Sequence, residues 1–312
     1  MDNINVSLSN VSITQGNPDG IIPQADLSIM KISDFHTLET TKGGGIKIAI
    51  LDTGCLVTHS ALSGKIAGVK NFTPDDGGVV STVTDYNGQG TLDTGIISAT
   101  NALYPGAAEG AQVYILKVYG QGGGNVGMIN NAIIHAINLN VDAIVINVSI
   151  GSINEELRAL TESAVKQGIA VISGGANSGD GNAATDEISY PACFSHVIGV
   201  GSSHESRYVL SSSGTNNQVD IVAYGNLVLS SYTDGSFGTI TGTAASASYI
   251  GAAYALMKKY LQTKLGRTVS YNEVYAHLMK RTLDLNENIK KQGNGMLYMT
   301  GDVQLRQSIL GS

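Results

Sequence analysis

Tryptophan is absent from this 312-residue chain, and proline, phenylalanine and cysteine occur only five, four and two times. Two cysteines, Cys55 and Cys193, cannot build a disulfide framework and make no metal motif, so both are expected as reduced thiols. No apolar run approaches the ~18 residues that read as a membrane span. Charged residues make up only 14%, and 25 acidic against 18 basic groups leave a net charge of −7. That balance argues against nucleic acid or an anionic membrane as partner. Low charge does not mean disorder, because 42% of the residues are hydrophobic. The start, Met1-Asp2-Asn3-Ile4-Asn5-Val6-Ser7, has neither a basic nor an apolar stretch, so no secretory signal and a cytoplasmic location are expected. What abounds is glycine, 39 residues without a triplet repeat, which excludes collagen and implies tight turns and close backbone approaches.

From Gly45 onward, short runs of isoleucine and valine alternate with amphipathic stretches. Strands are expected over residues 46–51, 113–118, 143–148, 169–172, 197–200 and 220–223, and such continuous apolar runs signal burial on both faces. Helices are expected over Met128–Leu139, over Asn154–Gln167 with Glu155 and Glu156 at its start, and over the small-residue-rich stretch Ala244–Tyr260. The alternation predicts an α/β fold: one domain, 45–312, with a mostly parallel central sheet and helices on both faces. Residues 1–44 form a polar N-terminal extension with a turn signal at Asn17-Pro18-Asp19-Gly20.

In such a sheet, functional residues gather where strands end and helices begin. Asp52, the Ser149–Ser152 segment and the loop Gly174-Gly175-Ala176-Asn177 hold those places. A nucleotide site is not expected, since no G-x-G-x-x-G follows the first strand and no P-loop motif occurs.

These segments, in this order, resemble the subtilisin-like serine proteases, and most closely their intracellular bacterial branch. Ala49-Ile50-Leu51-Asp52-Thr53-Gly54 is similar to the strand presenting the catalytic aspartate. Asp85-Tyr86-Asn87-Gly88-Gln89-Gly90-Thr91 stands where the family has D-Y-N-G-H-G-T. Ser149-Ile150-Gly151 resembles the S-L-G edge of the substrate cleft, and Asn177 the oxyanion-hole asparagine. Glu187-Ile188-Ser189-Tyr190-Pro191-Ala192 fits the segment just beyond it. Thr241-Gly242-Thr243-Ala244 replaces T-G-T-S, and Gly293-Asn294-Gly295-Met296-Leu297-Tyr298 resembles the closing G-N-G-x-L-Y. The resemblance spans roughly residues 23–300.

It implies a triad that this chain does not complete. The chemistry needs a hydroxyl nucleophile, a histidine base and an orienting carboxylate. Asp52 remains, but the histidine position is Gln89 and the serine position is Ala244. Alanine has no nucleophilic atom, and an amide takes no proton near neutral pH. The flanking residues differ too, as Leu92-Asp93-Thr94-Gly95 and Ala245-Ser246-Ala247-Ser248-Tyr249, so the change is not a point replacement.

Ser246 lies on the opposite side of its helix from Ala244 and Ser248 one turn deeper, so both read as small residues of a buried helix. Asp93 reads as a solvated or helix-start charge, with a rebuilt acid–base or metal site as the alternative. His36, His59, His135, His196, His204 and His277 read as structural or exposed. The family's calcium sites look eroded: Ala61 stands for an aspartate, and residues 100–105 offer few hard oxygen ligands, so no cofactor or metal is expected.

The cleft is expected to survive without the chemistry. The family binds peptides as added strands between two edges, here Ser149-Ile150-Gly151 and Gly122-Gly123-Gly124. Intracellular members carry a short extension across the site with an L-I-P-Y segment. Ile21-Ile22-Pro23-Gln24 is only superficially similar, and the alternating segment from Val6 to Ile13 reads equally as a strand in the cleft or an unstructured tail. The expected function is an inactive homologue binding a peptide or protein, such as an active subtilisin relative, as homo- or heterodimer. The alternative is a repurposed enzyme lined by Asp52, Gln89, Asp93 and Asn177, and residual proteolysis ranks last.

Overall fold

Strands of isoleucine and valine with no polar alternation can settle only where both faces are covered. The computed structural model describes residues 4–8, 11–16 and 25–300. The chain opens with β1 (Asn5–Leu8) and β2 (Ser12–Gln15), then α1 (Ala25–Ile29) and α2 (Ile32–Glu39). Next come β3 (Lys47–Asp52), β4 (Ile66–Asn71), α3 (Gln89–Ser98), β5 (Gln112–Lys117) and the two-residue β6 (Gly124–Asn125). After α4 (Val126–Asn138) follow β7 (Ala143–Ile146), β8 (Val148–Ser149), α5 (Glu155–Lys166), β9 (Ala170–Gly174), β10 (Ile198–Ser203) and β11 (Ile221–Tyr224). The hairpin β12 (Val228–Ser231) and β13 (Phe237–Thr241) leads into α6 (Thr243–Leu265), then α7 (Tyr271–Met279), β14 (Thr282–Leu283) and β15 (Met296–Leu297).

The central sheet runs β14-β15-β11-β10-β9-β7-β3-β5-β4. Only the β14–β15 edge is antiparallel among its pairings. Side chains of β3 alternate between two cores. Ile48 and Ile50 join the one built with α3 and α6, whereas Ala49 and Leu51 join the one built with α4 and α5. The small residues of α6 have a physical reason: a Cβ on Gly251 would come within 2.5 Å of Val145 Cγ2, so helix and sheet touch closely there.

The expected strands and the three expected helices are all present, with ends shifted by a few residues. Asn154 caps α5 by accepting from Leu157 N at 2.8 Å, and α6 runs five residues further than the pattern implied, to Leu265. One expected strand, 143–148, is broken at Asn147 into β7 and β8. Chain direction across the sheet reverses at β3: β5 and β4 lie on one side, β7 to β11 on the other. A crevice opens at the carboxyl ends of strands at such a switch point, and β3 ends there with Asp52. The turn at 17–20 and the segment 21–24 lie outside the described residues. No described helix is long and apolar enough to cross a membrane.

Candidate functional site

Asp85 builds the start of α3. Its Oδ1 accepts from Gly88 N (2.8 Å), Asn87 N (3.1 Å) and Thr53 Oγ (2.8 Å). Its Oδ2 accepts from the amide (2.9 Å) and hydroxyl (2.7 Å) of Thr91. One carboxylate thus caps the helix and ties it to the turn after β3. Gly90 completes the clamp, because a Cβ there would lie 2.1 Å from Gly54 O. Gln89 is consequently held over Asp52.

Gln89 is fully buried. Its Nε2 donates to Asp52 Oδ1 at 3.1 Å and to the Asn147 carbonyl at 3.0 Å, while Oε1 has no partner among the described residues. Asp52, also fully buried, accepts from Thr53 N at 2.7 Å and from Asn147 Nδ2 at 3.1 Å. The Asn147 amide also donates to Asp93 Oδ2 (2.8 Å) and Ser248 Oγ (3.2 Å), so its two hydrogens are shared among three acceptors.

Asp93 corrects an expectation. It is neither solvated nor a helix-start charge but completely buried one turn along α3, where Asn147 Nδ2 bonds both its Oδ2 and Asp52 Oδ2, and its Oδ1 has no partner among the described residues. Burial first, then the neighbouring Asp52 charge, hold the Asp93 carboxyl well above the ordinary range. Burial pushes Asp52 up to about 7, the Asp85 charge adds to this, and bonds from Thr53 and Asn147 oppose it. Two buried carboxyls this close cannot both ionise cheaply, so the pair holds a proton more tightly than an isolated carboxyl does.

Ser248 is buried in its helix, as expected, and its hydroxyl also joins this network. Ser246 does face the core, bonded to Ser202 Oγ (3.1 Å) and the Ala223 carbonyl (3.0 Å). Asn147 escaped the sequence reading; a lone amide inside the run Ala143–Val148 was the available signal. The histidines stand elsewhere: His59 Nε2 donates to Ser236 O, His36 Nε2 to Ala107 O, and His196 is bonded to Thr161.

On the other side, Gly242 takes a φ of 143° as it turns the chain into α6, and Ala244, 1% exposed, is the second residue of that helix. Asn177 Oδ1 accepts from Thr243 N at 2.9 Å, and Thr243 Oγ donates to Gly175 O at 2.7 Å. This bond fixes the amide, so Asn177 presents Nδ2, which has no partner among the described residues. Neither a hydroxyl nor a thiol replaces the methyl of Ala244.

The two cleft edges lie on either side of β1, which pairs antiparallel with both. Asn5 and Val6 face Asn125 and Gly124, while Ser7 and Leu8 face Ser149 and Val148. Of the segment Val6–Ile13 the described residues therefore adopt the strand reading rather than the tail. Val6 is buried among Val118, Val126 and Val148. Beyond the site, β2 extends the β12–β13 hairpin, with Ser12 opposite Thr241, and Val11 Cγ1 lies 3.0 Å from the place a Cβ would take on Gly242. The described parts of the extension thus pair on both sides of the site, β1 with the two cleft edges and β2 with β13.

The edges are shorter than expected. Gly122 and Gly123 lie in a turn closed by the reciprocal Gly120–Gly123 amide–carbonyl bonds (3.0 Å), leaving Gly124 to pair with β1. Ile150 pairs with Tyr190, and Gly151 lines a cavity of about 260 Å³ with Ser7, Leu8, Asn177 and Ser189. No group of three or more His, Cys, Asp or Glu gathers at metal-binding distance among the described residues.

Comparison with known proteins bears on this arrangement. Residues 43–297 match the model of the subtilase family, peptidase S8. The chain is 40% identical over 272 residues to the major intracellular serine protease of Bacillus subtilis (strain 168), covering 85% of each. It is 39% identical over 271 residues to an intracellular serine protease of Paenibacillus polymyxa, covering 85% of this chain and 82% of the relative. Subtilisin Savinase of Lederbergia lenta is 33% identical over 222 residues, or 70% of this chain and 77% of that one.

Proposed function

The chain belongs to the subtilase family, and on that premise we propose that it is a proteolytically inactive member that binds an extended peptide segment of a partner in the cytoplasm, as regulator or scaffold. One observation carries the reading. The site keeps its carboxylate, its Asn177 donor and both strand edges, yet places a methyl and an amide where attack and proton removal need a hydroxyl and a base. Strand addition uses main-chain bonds and needs neither. β1 is then the resting occupant that a partner displaces. An active subtilisin relative, whose own extension would fit the same edges, is the partner class this reading favours. A repurposed enzyme has less support, because Asp52, Gln89 and Asp93 are all sealed from solvent.

Docking of β1 rests on four paired residues and one buried valine, a contribution of about 2 kcal/mol for that side chain. Val6→Asp places a charge in that apolar site and is expected to release the strand. A fluorescent peptide copying residues 4–8 should then bind the full-length variant at least tenfold more tightly than the wild-type chain, since competition by the resident strand is removed. Fluorescence polarisation reads the difference. Equal affinities for the two chains would contradict a gated cleft, and no binding to either would contradict peptide binding altogether.

A further inference from the structure

The extension contains a short repeat. Asn5-Val6-Ser7-Leu8 recurs five residues later as Asn10-Val11-Ser12-Ile13, identical but for leucine against isoleucine. The apolar alternation restarts between the copies: Ile4, Val6 and Leu8 keep one phase, Val11 and Ile13 the other. In one continuous strand, side chains two apart share a face, so the two sets would point to opposite sides. A single groove can therefore take either copy but not both at once.

The structure keeps the copies apart. The first forms β1, in which Val6 is 6% exposed and Ile4 and Leu8 pack against the same core. The second runs into β2, whose only strand partner among the described residues is β13. Val11 and Ile13 are half-buried there, and Ser12, Thr14 and Gln15 are exposed. Set into the groove instead, the second copy places Val11 where Val6 lies, Ser12 opposite Ser149 and Ile13 where Leu8 lies, with the same chain direction. Apolar volume is conserved, because leucine and isoleucine are isomers. The first copy still holds the groove at rest. Ile4 precedes it and packs on the core, whereas Ser9 precedes the second, and moving the second copy gives up the β2–β13 pairing. The tether permits the move. Residues 14–24, eleven in all, would join the groove to α1. Extended, they reach roughly 36 Å, against a radius of gyration of about 20 Å for a chain of this length.

We propose that the extension carries a reserve occupant for the cleft: when β1 is displaced, residues 11–13 take its place and leave the edge of β13 open. The inference rests on the peptide-binding reading above and describes how that site is regulated. A partner segment then has to outcompete two strands in succession, so weak ligands are turned away even after the first strand has left.

The test traps the exchanged register as a disulfide in the full-length chain. Directly opposed strand residues have Cα atoms ~4.5–5.5 Å apart, within disulfide reach. Ser7→Cys with Ser149→Cys should cross-link readily, because Ser7 faces Ser149 at rest. Ser12→Cys with Ser149→Cys should cross-link only after exchange. After the same brief oxidation, about a tenth or less of otherwise wild-type chains should carry that bond, and most chains that also carry Val6→Asp. Adding Val11→Asp should cut the yield about fivefold or more, since a charge does not suit the place of Val6. Thermal melts confirm that each variant folds, and Val11→Ser replaces Val11→Asp should it not. Non-reducing peptide mapping by mass spectrometry separates these bonds from any that involve Cys55 or Cys193. A bond between 12 and 149 that survives the change at Val11 would mean loose collision of a tail and overturn the proposal. Its absence from the Val6→Asp chain, while that chain binds the labelled peptide of residues 4–8, would overturn the proposal and leave peptide binding standing. Failure of 7 and 149 to cross-link would contradict the docking of β1 on which both readings rest.

Discussion

Restoring serine at 244 and histidine at 89 together is expected to raise hydrolysis of a chromogenic peptide amide by at least about a thousandfold over the wild-type chain, while either change alone stays within tenfold of it. The asymmetry follows from how the groups act. A serine without a base is a poor nucleophile, and a base without a nucleophile has nothing to activate. In subtilisin, losing the serine or the histidine alone costs about 2 × 10⁶-fold in kcat, nearly as much as losing the whole triad. Returning one of two missing parts should therefore return almost nothing. The rest of the machinery is in place: Asp52 Oδ1 faces the residue-89 side chain at 3.1 Å, and Asn177 Nδ2 awaits an acceptor. Two features keep the expected gain below the full value. β1 fills the cleft, and Asn147 Nδ2 already engages Asp52 Oδ2, which weakens its hold on an imidazole. Adding Val6→Asp should raise the rate further. A single variant as active as the double one would show that the wild-type chain already contains a working nucleophile or base.

Removing the second buried carboxyl should stabilise the protein at alkaline pH and not at acid pH. Both carboxyls bind protons more tightly in the folded chain than their ordinary value of 3.8, Asp52 up to about 7 and Asp93 well above the usual range. The folded state therefore binds more protons than the unfolded state above about pH 4. The stability these protons confer is complete below about pH 4, falls as pH rises toward 7 and is lost once the folded-state values are passed. Asp93→Asn keeps an acceptor for Asn147 Nδ2 and has nothing to ionise. Its melting temperature should match wild type within about 1 °C at pH 5 and exceed it by about 3 °C at pH 8, corresponding to about 2 kcal/mol. Subtracting wild type at each pH cancels the rest of the acidic chain, including Asp85, which also acts on Asp52. The same difference at both pH values would mean that the pair holds no proton at neutrality.

Much of this was legible from residue order, for reasons that differ by element. β3, β5, β7, β9, β10 and β11 announce themselves because burial on both faces demands uninterrupted isoleucine and valine. Asp52, Gln89, Ala244 and Asn177 stand at strand ends and helix starts, where topology forces side chains together. The network's other half was hidden. Asn147 and Ser248 lie about a hundred residues apart, and nothing local says that they share one amide hydrogen. Asp93 looked exposed because a charge near a helix start usually is; only the packing of α3 against α6 and the strands around it buries it. β1 was undecidable alone, since four half-polar residues gain their structure from edges contributed by residues 124–125 and 148–149. The short helices α2 and α7, and the β12–β13 hairpin, carry too little periodicity to separate from loops.

The measurement closest to the central claim is treatment of the purified full-length chain with a fluorophosphonate probe alongside casein digestion. The account predicts no covalent labelling and no casein fragments, with or without Val6→Asp to open the cleft. Stoichiometric labelling, or casein cleavage that disappears in Asp52→Ala, would contradict it.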